Sequence, residues 1–437
     1  MKLFGGGRPM SGRALNWAIT AASCQGFLLL GYDQGVMSGL IGANNQFAEE
    51  FNNPDAKLQG IITSIYDIGC AAGALFTFVF GERFGRKNMI IAGGMTMIIG
   101  TILLGSSTTL AQLLVGRIVT GIGNGFNSST IPMYQSEMCK PGNRGILLSM
   151  QGTVTIIGLC IAYWFDFGLS FVSGPIQWRL PISFQAFFAI CLVLQMLPLP
   201  ETPRYLIEKG RNTDAAHIIA RLHSKDATID DEDVVFQRRQ IETSLEIESA
   251  GGPFRYSELL KGGKIQNFRR VVLCCAVNLM QQFTGSNMIN YYAPVVYANT
   301  MGLSRNLSLI LGGCTSLTYL AASFIPLWTV ERFVCVFTVV QITPIAIDSI
   351  DWRTFIIFAV FCALWVPIVY CFFPETNQLQ LEDIDHLFES GGITGGVFTA
   401  KGGKTVEAGY HQRVPNMEGI EKGIQVDGEH VEVEQGV

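Results

Sequence analysis

Charge is scarce in this 437-residue chain. Asp, Glu, Lys and Arg make up 15% of it, against about 25% in an ordinary soluble domain. Histidine is scarcer still: five copies, all in loops and tails, which argues against a histidine proton relay or metal site. The eleven cysteines fall singly or as Cys274-Cys275. Most lie inside apolar runs with no metal-ligand spacing, so they read as small packing residues. There is no nucleophile–base pair and no phosphate loop, which removes support for an enzyme. No cofactor, metal or nucleic-acid partner is expected. No cleavable leader is expected, since the apolar run after Lys2, Arg8 and Arg13 is too long.

Hydrophobic residues, by contrast, make up 49% of the chain, in recurring runs of bilayer-crossing length. Spans are expected near Leu15–Ile41, Gly60–Phe80, Met89–Ser107, Leu110–Gln135, Ile146–Ser170 and Gln177–Leu199. After a hydrophilic segment, Glu201–Asn267, others follow near Arg270–Asn299, Leu307–Val330, Val334–Ile347 and Trp352–Phe373. The ninth is short for a full crossing. The expected fold class is an all-α polytopic membrane protein, its natural environment a lipid bilayer.

In the short loops, Arg8, Arg13, Arg83, Arg86, Lys87, Lys140 and Arg144 all fall on the same side of the membrane as the N-terminus. The opposite loops carry Glu49, Glu50, Asp55 and one Lys57, or nothing charged. The positive-inside rule therefore makes the N-terminus, the hydrophilic segment and the tail cytoplasmic. Stretches such as Asp214–Leu222 predict short surface helices in that segment. The Gly-rich tail lacks apolar periodicity, and disorder is expected there. Asn306-Leu-Ser308 is a glycosylation sequon on the outer side, close to a span.

Asp33 lies in Gly31-Tyr-Asp-Gln-Gly35, inside the first span. An ionised carboxylate there costs roughly 3 kcal/mol by insertion scales. Arg117, well inside the fourth span in Gly116-Arg-Ile-Val-Thr-Gly-Ile-Gly, is the natural partner, because the glycines permit close helix contact. If they pair, protonating Asp33 releases Arg117; a purely structural ion pair is the plainer alternative. Gly81-Glu82-Arg83-Phe-Gly-Arg86-Lys87 forms a tight basic loop. Glu137 and Arg144 straddle the end of span four, and Glu201 and Arg204 stand at the end of span six. These charges at cytoplasmic helix ends form a candidate gate.

Gln281, Gln282 and Asn287 put three amides in the middle third of the seventh span, beside Gly285, and Gln151 adds one in the fifth. Amides donate and accept at once, matching sugar or polyol hydroxyls without fixed charge. Interhelical amide bonding is the alternative. Asp67 and Asp166 are further intramembrane acids; Asp166 is expected to reach water near the outer end of its span. Pro200-Glu-Thr-Pro-Arg204 and Pro374-Glu-Thr-Asn-Gln378 end two halves alike, as in a duplicated bundle.

Jointly these motifs, with Pro132-Met-Tyr-Gln-Ser-Glu137, Arg144-Gly145, Trp178-Arg-Leu-Pro181 and Leu381-Glu-Asp-Ile-Asp385, resemble the sugar porter family of the major facilitator superfamily. The fungal hexose or glycerol proton symporters look most similar. The resemblance implies two six-helix bundles with sugar or polyol bound between them. It makes Asp33 the proton-coupling acid, and Gln151, Gln281, Gln282 and Asn287 the sugar ligands. One block departs from the pattern. After Thr329-Val-Glu-Arg-Phe333 the chain passes directly to Val334-Cys-Val-Phe-Thr-Val-Val-Gln-Ile-Thr-Pro344, which resembles the latter part of span eleven. About 80 residues are missing, room for roughly two spans with their loops. An aromatic and an Asn that line the family's sugar site go with them.

The expected organisation is then a cytoplasmic N-terminus over 1–14, an N-terminal bundle over 15–200 and a helical linker over 201–269. An incomplete C-terminal bundle of about four helices, over 270–374, and a tail over 375–437 complete it. The expected function is proton-coupled transport of a sugar or polyol, in the plasma membrane. A non-transporting sensor or regulator, or an inactive truncated transporter, is the alternative.

Overall fold

The computed structural model describes residues 10–40, 46–52, 54–139, 141–249, 267–283, 293–294, 297 and 302–329. The described residues form helices and the turns that join them, with no strand among them. In order these are α1 (Arg13–Leu40), α2 (Gln46–Glu50), α3 (Ala56–Phe84), α4 (Arg86–Gly105), α5 (Leu110–Met138), α6 (Arg144–Leu169) and α7 (Ile176–Met196). Beyond them lie α8 (Pro203–Glu208), α9 (Asn212–His223), α10 (Glu232–Ser249), α11 (Asn267–Phe283) and α12 (Arg305–Thr329). Each of the first six expected spans coincides with one long helix. The ninth and tenth spans and the tail lie outside the described residues.

By length and composition, α1, α4, α6, α7, Lys57–Phe84 of α3 and Asn306–Ile325 of α12 can cross a membrane. Large apolar side chains such as Phe78 of α3, Ile102 of α4 and Leu194 of α7 point outward, as a lipid-facing surface requires. Helix α5 is as long as α3 but is absent from that apolar set, because its sequence carries Arg117, Asn124, Asn127 and several glycines. It packs chiefly against α3 and α4.

Close helix contact is built from small residues. Gly69 and Gly73 of α3 face Gly121 and Gly125 of α5, and an added Cβ on Gly73 would lie 3.1 Å from the Gly125 Cα. Reciprocal small-xxx-small pairs of this kind let two backbones touch. Along the α1–α6 seam the same device recurs: Gly31 meets the Thr155 carbonyl, Gly35 meets Ala162, and Gly158 meets the Leu28 carbonyl. Gly85, at φ +85°, is the only residue between α3 and α4. That left-handed conformation suits glycine and lets the chain reverse in a one-residue turn.

The short helices cover both ends of the bundle. On one, Phe47 and Phe51 pack edge-on against Trp178, whose Nε1 donates to Glu50 at 3.0 Å. On the other, Arg221 of α9 donates to the Met10 carbonyl at 3.1 and 2.8 Å. Helix α12 lies against α6, where Thr153 Oγ1 donates to the Ser323 carbonyl at 3.0 Å. The Asn306 sequon falls on the first turn of α12, with Ser308 buried and its hydroxyl donating to the Ser304 carbonyl.

Candidate functional site: a buried ion pair and a charged cluster at the helix ends

Asp33 of α1 and Arg117 of α5 meet in the interior. Arg117 Nη1 donates to Asp33 Oδ1 at 3.2 Å, with side-chain exposures of 1% and 0%. The guanidinium also lies over the Tyr66 ring of α3, with Cζ 4.5 Å from the centroid. That is a cation–π contact sheltered from water. Tyr66 itself accepts from Asn124 Nδ2. Tyr66 and Gln185 of α7 flank the Asp33 carboxyl, so four helices wall the pair.

The contact is economical. A guanidinium and a carboxylate can form two parallel hydrogen bonds, yet here one is made. Among the described residues, Asp33 Oδ2 and Arg117 Nε and Nη2 meet no partner at hydrogen-bonding geometry. Two buried charges sharing one hydrogen bond only partly compensate each other, and removing either leaves the other at a high cost.

At the opposite end, Arg86 anchors the charged cluster. Its Nη2 is 3.2 Å from Glu137 Oε1 and its Nη1 is 3.8 Å from Glu208 Oε2, while Cζ lies 5.6 Å from the Tyr205 ring centroid. Glu137 is therefore paired with Arg86 rather than with Arg144, whose Nη2 donates to the Ser136 carbonyl at 3.4 Å. Glu201 accepts the Lys87 backbone N–H on both oxygens at 3.1 Å and caps the N-terminus of α4. An anion is favoured at that position by the exposed N–H groups and the helix dipole. Burial pushes the Glu201 carboxyl above the usual glutamate range, against the pull of the Lys87 and Thr202 N–H groups and of Arg86. Lys87 Nζ donates to the Leu197 and Leu199 carbonyls at 2.8 and 2.5 Å, beyond the end of α7. The side chains of Glu82 and Arg83 are exposed, Arg83 joining through its carbonyl, which accepts from Tyr205 OH at 3.3 Å. Arg204 is half-buried on α8.

The amides are less gathered. Gln151 of α6 is buried, with Nε2 unpartnered. Gln281 and Gln282 are exposed near the end of α11, and Asn287 lies outside the described residues. Asp67 is exposed on α3. Asp166 corrects an expectation: it does not reach water but is buried, 6% exposed, because α1 closes over it at Gly39.

Tyr66, Gln185 and Glu208 were not singled out from sequence. Tyr66 carries a readable signal, standing three residues before Gly69 in the small-residue face of α3. Gln185 and Glu208 carry none, since one polar residue on an apolar helix and one acid on a surface helix are ordinary.

A buried acid–base pair walled by membrane-length helices, with a charged cluster at the helix ends, defines a multi-pass helical transporter of the major facilitator fold. The profile of the sugar (and other) transporter family matches residues 17–334 and 333–388, and the chain belongs to that family: a membrane sugar transporter, not an enzyme. It is 32% identical to the sugar transporter STL1 of Saccharomyces cerevisiae, over 87% of this chain and 82% of that one. To the arabinose-proton symporter of Escherichia coli K12 it is 31% identical, over 73% and 64%. Among solved structures, the proton:xylose symporter XylE bound to 6-bromo-6-deoxy-D-glucose superposes with a TM-score of 0.71. The identity is 20%, and 86% of this chain and 99% of that one are covered. The alignment with STL1 runs over 471 positions while using 87% of this chain; roughly 90 positions thus lack a counterpart here, room for two to three spans with loops. The two family matches abut at residues 333–334, where the sequence passes abruptly between spans.

Proposed function

We propose that the chain is a proton symporter of a sugar or polyol, working by alternating access between an N-terminal bundle over 15–200 and a shortened C-terminal bundle over 270–374. The observation that carries this reading is the single hydrogen bond between Asp33 and Arg117. A proton from outside water adds to the unpartnered Asp33 Oδ2, the carboxyl becomes neutral, and Arg117 loses its counter-charge. Arg117 can then turn its unused N–H groups elsewhere, which gives the two states different electrostatic energies. On the inner side the proton returns to water and the pair re-forms.

In the same proposal, Gln151, Gln281, Gln282 and Asn287 bind substrate hydroxyls. Arg86, Glu137, Arg144, Glu201 and Arg204, with Glu82 and Arg83, close the inner face in one conformation. Both termini are cytoplasmic and the membrane is the plasma membrane. The likeness to the arabinose-proton symporter and to the proton:xylose symporter XylE favours sugar and proton as cargo. In liposomes holding the purified chain, an inward proton gradient should drive sugar or glycerol accumulation. Asp33→Asn should abolish uphill uptake while sparing some exchange; undiminished accumulation by the variant refutes the coupling role.

The missing block favours a second reading, a family member that has lost turnover and serves as a regulator or is inactive. Uptake by wild-type liposomes with neither net flux nor exchange, from a chain that still binds sugar, would select it.

A further inference from the structure

Asp166 is the least compensated group in the described bundle. It is 6% exposed, and neither carboxyl oxygen has a hydrogen-bond partner among the described residues. Gly39 of α1 closes on it so tightly that a Cβ there would lie 2.6 Å from the Asp166 Cβ and would overlap Oδ2. Its neighbours are chosen from groups that bring no positive charge. Tyr32 of α1 and Tyr163 of α6 lie within its electrostatic reach. Tyr32 OH is committed to the Pro181 carbonyl at 3.0 Å, and Tyr163 OH and Ser38 Oγ to each other at 2.6 Å. Asp33, further along α1, is taken by Arg117. Arg179, the cation of α7, is held by Glu50 at 2.7 Å. Helix α12 contributes Tyr319, and none of these described groups donates to Asp166.

An isolated carboxylate in such surroundings costs several kcal/mol, and a carboxylic acid far less. A metal or sodium ion would need several free oxygens around it, and the nearby hydroxyls are already engaged. We propose that Asp166 is a second proton-binding site, holding a proton while the α1–α6 seam is closed. The O–H bond forms on one Asp166 oxygen with a proton taken from water at the adjacent helix end, since Asp166 stands three residues from the last residue of α6. When the seam opens to water the proton leaves and the carboxylate is hydrated. The site lies at the end of α1 away from the Arg86 cluster, on a seam that also carries Asp33. It does not depend on the coupling role proposed for Asp33.

The test is infrared spectroscopy of the purified full chain in lipid nanodiscs at neutral pH, reading the carbonyl stretch of neutral carboxylic acids and its shift in heavy water. Wild type should show this band, Asp33→Asn should retain the Asp166 component, and Asp166→Asn should lose the intensity of one carboxyl. Asp166→Ser, smaller and uncharged, serves if the amide does not fold. A variant spectrum that overlays wild type overturns the proposal. So does a carboxylate band in wild type that shifts on adding sodium or potassium, which would make the group a cation ligand. Because the readout is a bound proton and not flux, failure of the symport reading leaves the result intact.

Discussion

Glu201 takes hold of Lys87 at its backbone N–H, while the Lys87 ammonium reaches the chain just ahead of Glu201. Both carboxylate oxygens take the Lys87 N–H at 3.1 Å, while the ammonium donates to the Leu197 and Leu199 carbonyls. Each residue thus satisfies backbone groups that the other's helix end leaves open. The arrangement clasps α4 and α7 at the end where the charged cluster lies.

Loss of either half should be felt by the other. Glu201→Ala should destabilise the folded protein by about 1–3 kcal/mol, the cost of unmaking a hydrogen bond to a part-buried group. Lys87→Met should do likewise, and the double variant should lose less than the sum of the two. Thermal unfolding in detergent measures all three; strict additivity would mean that the two caps are independent.

The Glu201 carboxyl also predicts a pH dependence. Its folded-state value is raised, with burial the main cause, so the folded protein binds this proton more tightly than the unfolded chain does. The resulting stability is fully present below the ordinary glutamate range and is lost as pH rises through the raised value. Glu201→Gln keeps an acceptor for Lys87 N–H but cannot titrate. Its unfolding temperature should therefore vary less with pH over that window than that of wild type.

Arg117→Leu should cost about 3–5 kcal/mol, because it leaves the Asp33 carboxylate buried without its counter-ion. Asp33→Leu combined with Arg117→Leu should recover a good part of that loss. Folded yield and unfolding temperature read the comparison; a double variant worse than the single one would show that the pair is worth more than its parts.

The glycine crossing of α3 and α5 offers a sharp contrast between positions. Ala at Gly121 would press its methyl into the Tyr66 carbonyl and within 3.0 Å of the Gly69 Cα, which only a shift of backbone can relieve. Ala at Gly152 meets nothing within 4 Å and should stabilise its helix by about 0.5–1 kcal/mol. Size-exclusion profiles and unfolding temperatures of the two variants should move in opposite directions.

Much of this was readable in the residues. A solitary Asp and a solitary Arg on glycine-bearing spans had few ways to be satisfied other than by each other, and they meet. Sequence placed Asp166 in water because it stands near the end of its span; depth along one helix says nothing about a second helix closing over it. It set Glu137 and Arg144 together at the end of span four, and the tight turn at Gly85 brings Arg86 to Glu137. Hydrogen bonds to backbone far along the sequence, such as those of Lys87, leave no periodic trace and have to be seen.

Helix α5 has a last implication, for biogenesis. With Arg117 and its amides along it, this segment has little reason to leave the insertion machinery for lipid unaided. Its neighbours on either side in the chain, α4 and α6, are both apolar enough to dissolve in the membrane. The charged helix is thus expected to settle in the membrane only against the helices that wall Arg117, and Asp33→Leu should lower the yield of inserted protein as well as the stability of what inserts.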